Sequence, residues 1–155
     1  MTETEIKLSD AKTQLLLALD NFRDPSVLRS CINAFIASAR SVTFTMQNES
    51  RGSEKFDVWY KLKQEEMSAN PMRRFFTQQR NVSIHQHSIS PNRTTIAVRY
   101  VNPGLASRRG DTATKFEFEG YSEFVPRGNG DVFGACGEYY AYLEALVREW
   151  KELMK

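Results

Sequence analysis

The chain has 155 residues, 41% of them hydrophobic, with 21 lysines and arginines against 19 aspartates and glutamates. That is one domain's worth of chain with enough apolar residues to bury a core, so wholesale disorder is excluded. Two cysteines, Cys31 and Cys136, exclude a disulfide-dense scaffold. No apolar run reaches the ~18 residues of a membrane helix, and MTETEIKLSD carries no signal-peptide pattern, so a cytoplasmic protein is expected.

Leu8, Ala11, Leu15, Leu19 and Phe22 step by three and four, which predicts an amphipathic helix over 8–22. Asp24-Pro25 then pairs an N-cap residue with proline at the first helical position, where its missing N–H does no harm. The helix it opens, 25–47, carries Leu28, Ile32, Phe35, Ala39, Val42 and Met46 in strict a/d spacing, so it must pack along another helix. The polar stretch QNESRGS ends it. A third helix, 54–67, presents Phe56, Trp59, Tyr60 and Met67. Asn70-Pro71 repeats the cap-plus-proline signal and opens a fourth, 71–87.

After Ser90-Pro91 the period changes from helical to alternating. Ile96, Val98 and Tyr100, then Phe116, Phe118 and Phe124, predict a β-hairpin over 94–125 with an arginine-bearing loop from Leu105 to Asp111. Glycines 128, 130, 134 and 137 read as a flexible connector to a last helix, 138–154, striped by Tyr139, Leu143, Leu146, Trp150 and Leu153. The expected fold is mainly α: a single domain over 1–155, a bundle of about five helices with a β-hairpin inserted before the last.

The near-zero charge conceals a partition. Residues 1–67 carry −1, residues 68–110 carry +7 and residues 111–155 carry −4. The middle segment holds seven arginines, no lysine and no acid, together with both histidines. Arginine grips phosphate bidentately and stacks on bases, so this stretch is a candidate polyanion surface. The alternative is that its arginines pair with acids of the flanking segments.

Within the fourth helix, Arg73, Arg80 and His87 recur every seven residues, and Gln78, Asn81 and His85 form a second stripe. Arg80 and His85 lie roughly 140° apart on a helix, so they could flank one groove without sharing a face. Arginine brings permanent charge, and histidine titrates where proton transfer is easy in both directions. Arg73 and Arg74, in the helix's first turn, sit where the dipole disfavours cations, which suggests an anion or an acidic partner nearby.

The string R-N-V-S-I-H, Arg80 to His85, preceded by FDVWYKLKQEEMSANPMRRFF, resembles the signature of HEPN domains, small helical bundles found in prokaryotic toxins and defence ribonucleases. The resemblance covers about 8–90. It implies a HEPN-like fold and a metal-independent endoribonuclease, working as a homodimer, in which the RNA's own 2′-hydroxyl attacks the adjacent phosphate. It assigns His85 to proton transfer, Arg80 to the phosphate and Asn81 to orientation. Arg73, Arg74, His87, Arg108 and Arg109 would extend the RNA-binding surface. The implied partners are RNA, a second copy and a cognate antitoxin protein, with no cofactor or metal. A catalytically silent module that binds RNA, a nucleotide or a protein is the alternative; in it Arg80 and His85 stabilise the dimer. Taken residue by residue, the bland readings are an inert helix-end His85 and an Arg80 ion pair with Glu65 or Glu66.

Other constellations fall away. GNGDVFG, Gly128 to Gly134, has the wrong glycine spacing for a dinucleotide loop and no surrounding βαβ unit. His85-x-His87 without clustered Cys, Asp or Glu is a poor zinc site.

Overall fold

A computed structural model describes residues 1–77, 98–101, 115–118 and 131–155, the two short inner segments by their backbone. The architecture is mainly helical: α1 Glu3–Asp20, α2 Pro25–Glu49, α3 Glu54–Ala69, the start of α4 at residues 71–77, and α5 Val132–Met154. Strands β1 Val98–Val101 and β2 Lys115–Phe118 pair antiparallel, Val98 opposite Phe118 and Val101 opposite Lys115. The remainder of the segment expected as a hairpin, and of the fourth helix beyond residue 77, lies outside the described residues.

The local signals account for most boundaries. Asp24 caps α2, its carboxylate accepting from the backbone N–H groups of Ser26 and Val27 at 3.0 and 3.2 Å. Every residue of the predicted seam, from Leu28 through Met46, is fully buried. α1 starts five residues before the expected position because Thr2 and Glu5 form a reciprocal capping box: Thr2 Oγ1 accepts from the Glu5 N–H, and Glu5 accepts from the Thr2 N–H. Gly52, at φ +87°, reverses the chain between α2 and α3 in a conformation side chains rarely adopt.

The expected glycine-rich connector is partly wrong. Gly134 and Gly137 lie inside α5, which begins six residues earlier than predicted. Asp131 caps it, accepting from the Gly134 N–H at 2.9 Å, and Val132, Ala135 and Cys136 are buried there. Burial of that first apolar turn offsets the entropy that two glycines cost a helix, about 1 kcal/mol each.

α1, α2 and α5 close the core. Ala11 and Ala18 of α1 are fully buried, and their small side chains let α1 lie close against α2. The far end of this pair is tied by Glu49, whose carboxylate accepts from the Glu3 N–H at 2.8 Å and from the hydroxyl of buried Thr4 at 2.5 Å. Lys151 of α5 pairs with Glu5 of α1. Trp150 donates its indole N–H to Ser50 Oγ at 2.7 Å, both groups buried, fastening the end of α2 to α5. Phe76 of α4 stacks on Tyr139 with centroids 4.5 Å apart and meets Phe35 edge-on, which seats the start of α4 on the core.

Candidate nucleic-acid interface

The side of α2 turned away from α1 is polar. Arg40, Thr43, Phe44 and Gln47 recur at three- and four-residue steps and form a stripe beside the buried seam. With Tyr60, Gln64, Met67 and Ser68 of α3 and Arg74 and Thr77 of α4, they line an open cavity of about 550 Å³. A second cavity of about 480 Å³ shares Gln47, Tyr60 and Gln64 with it and adds Arg51, Asp57 and Lys61. The two make one groove along α2 and α3. Among the described residues its charged lining is Arg40, Arg51, Lys61 and Arg74 against one acid, Asp57.

Hydrogen bonds hold the floor of this groove. Gln47 donates from Nε2 to Tyr60 Oη and to the Thr43 carbonyl, each at 3.0 Å, which pins the amide. Burial raises the Tyr60 pKa, and the opposing effects of Thr43 and Arg40 are smaller. The phenol therefore stays protonated at neutral pH, a hydrogen-bonding group and not a base. Arg40 Nε is buried and has no partner among the described residues. An unsatisfied guanidinium N–H is costly, and an anion entering the groove would satisfy it. Phe44, 55% exposed, stands at the mouth as an apolar face.

Of the residues singled out from sequence, Arg74 lines this groove. Arg73 does not. Its guanidinium carbon sits 3.5 Å above the Tyr142 ring, and its backbone N–H donates to Asn70 Oδ1 at 3.2 Å. Arg73 therefore joins α4 to α5 as a cation–π contact. Burial pushes the Tyr142 hydroxyl to about 12 despite that cation. Arg80, Asn81, His85, His87, Arg108 and Arg109 lie outside the described residues. Arg40, Gln47, Arg51, Tyr60, Lys61 and Gln64 were missed; the available signal was the polar three-and-four stripe flanking the α2 seam.

Among the described residues no three His, Cys, Asp or Glu side chains gather as a metal site. No described helix is long and apolar enough to cross a membrane. Cys136 is fully buried, and desolvation pushes its thiol well above the ordinary value, so it is packing and not a nucleophile.

A mainly helical protein with an open basic groove is the class these observations define. Residues 1–101 match the family model described as Bacteriophage lambda protein ea47, and the chain belongs to that family. Protein ea47 of Escherichia phage lambda is 34% identical to it over 56 residues, 36% of this chain and 14% of that protein's length. No solved structure matches the chain. The resemblance to HEPN domains is thereby corrected, and with it the HEPN-like label on the bundle: the family that covers the stretch is Ea47. The R-x4-H string specifies only two side chains, and its aromatic lead-in (FDVWY, RRFF) supplies core positions such as Phe56, Tyr60, Phe75 and Phe76 that any helical bundle needs.

Proposed function

We propose that this protein is a nucleic-acid-binding module that takes single-stranded RNA in the groove between α2, α3 and α4. The observation that carries the reading is the groove's charge among the described residues: four cations against one acid, with a buried Arg40 Nε–H that lacks an acceptor among them. Arg40 and Arg74 would grip phosphates in the larger cavity, and Arg51 and Lys61 would continue the track. Phe44 offers a face on which a base can stack. The amide of Gln64 and the hydroxyl of Ser68 both donate and accept, which suits a 2′-hydroxyl and favours RNA over DNA.

The test is fluorescence anisotropy with a labelled single-stranded RNA and the matching DNA across a salt series. RNA binding tighter than DNA is expected, with an affinity that falls steeply with salt. Arg40→Gln should weaken it and shallow the log–log slope by about one. Binding that ignores salt, or that is indifferent to Arg40 and to Arg51→Gln, would remove the groove from consideration. Incubating the same RNA in EDTA tests for cleavage: intact RNA is expected, whereas scission abolished by His85→Ala would mean that Arg80, Asn81 and His85 form a ribonuclease site.

A further inference from the structure

α3 has two opposite faces that carry apolar side chains. Phe56 and Tyr60 face the core, 2% and 7% exposed, whereas Val58 and Leu62 are 68% and 56% exposed on the other side. Lys55, Val58, Leu62, Glu65 and Ala69 step by three, four, three and four, the a/d spacing of a two-helix seam. This seam is centred roughly 180° around the helix from Tyr60. Among the described residues neither Lys55 nor Glu65 makes an ion pair. The neighbouring Lys63 is held by Glu66 and Glu149 at 3.3 and 2.8 Å.

The charges decide what this seam can accept. Two copies aligned parallel would place Lys55 against the partner's Lys55 and Glu65 against the partner's Glu65, repulsive at both ends. Two copies aligned antiparallel about residue 60 put every a position opposite a d position. Val58 then meets the partner's Leu62, Lys55 meets the partner's Glu65, and symmetry repeats each pair. Apolar and charged layers are matched in a single register.

We infer that α3 forms an antiparallel, two-fold contact with α3 of a second copy through Lys55, Val58, Leu62 and Glu65. Only two large apolar side chains per protomer take part, so the dimer is reversible and smaller than an obligate interface. The two-fold axis runs perpendicular to both helices and keeps a given flank of α3 on one side of the pair. Lys61 and Gln64 lie on the same flank and line the groove, so both grooves open on one face of the dimer. That consequence rests on the RNA reading; the contact itself does not.

Sedimentation velocity of the full chain without RNA, over a concentration series up to about 100 µM, tests the contact alone. Wild type should move from monomer to dimer, and Val58→Glu should remain monomeric with a nearly unchanged thermal transition, since Val58 is 68% exposed in the protomer. Lys55→Glu should also be monomeric because it opposes two carboxylates. Adding Glu65→Lys to Lys55→Glu should restore the dimer, a rescue specific to this register. A monomeric wild type at the highest concentration, a dimer untouched by Val58→Glu, or no rescue in the double reversal overturns the inference. A dimer that behaves as described but does not bind RNA overturns the groove and leaves the seam standing.

Discussion

The two sides of α2 differ in what their neighbours do for them. Toward α1 and α5, its seam from Leu28 to Met46 is fully buried, and each polar group at its end has a partner: Glu49 with α1, Ser50 with Trp150. Toward α3 and α4, Arg40, Thr43, Phe44 and Gln47 face an open groove, and Arg40 Nε has no partner among the described residues. Burial with satisfied polar groups makes the first side a stability element. Charge held in partial burial without an acceptor among the described residues makes the second the proposed binding surface, at a cost in stability. Substitutions on the first side should therefore lower folding stability, and those on the second should change ligand binding without lowering it.

The largest expected effect is on the closed side. Phe35→Ala removes a fully buried ring that meets Phe76 edge-on, and should cost about 3–5 kcal/mol in urea unfolding. Ser50→Ala leaves the Trp150 indole N–H buried without its acceptor, a loss of about 1–3 kcal/mol by the same measurement. Gly137→Ala has the opposite sign. A Cβ there meets nothing within 4 Å, so the change should stabilise α5 by about 0.5–1 kcal/mol and raise the thermal midpoint. On the open side, Arg40→Gln should weaken RNA binding without lowering stability, since it removes a buried N–H that lacks an acceptor among the described residues; a large stability loss would make Arg40 a packing residue and erase the contrast.

The smallest effect concerns acid. The hydrogen bond from Lys151 chiefly, and then the Thr2 N–H, lower the pKa of Glu5 below its ordinary 4.5. A depressed folded pKa contributes stability above the unfolded value that is lost as pH falls through the folded one. Urea midpoints between about pH 6 and pH 3 should fall less steeply in Glu5→Gln than in wild type. Parallel acid limbs would show that the α1–α5 ion pair adds nothing.

Legibility followed the range of the interaction. Asp24-Pro25, Asn70-Pro71 and the α2 seam were readable because capping and helical periodicity act within a few residues. The early start of α1 was also local, in Thr2 and Glu5, and was missed because the apolar stripe begins later, at Leu8. The start of α5 was hidden for another reason: two glycines argue against a helix, and only the buried first apolar turn overrides them. The arginine-rich segment drew attention by composition, yet Arg73 was taken up by Tyr142, a ring nearly seventy residues away in sequence.

The sequence by itself determined where α2 and α3 run and which face of α2 is apolar, because caps and three-four periodicity are properties of a single helix. Tertiary structure alone decided that Arg40, Gln47, Tyr60, Gln64 and Arg74 share a groove, and that Val58 and Leu62 are left exposed. Those depend on how helices are set against one another, and long-range packing leaves no fixed spacing in the chain for a reader to find.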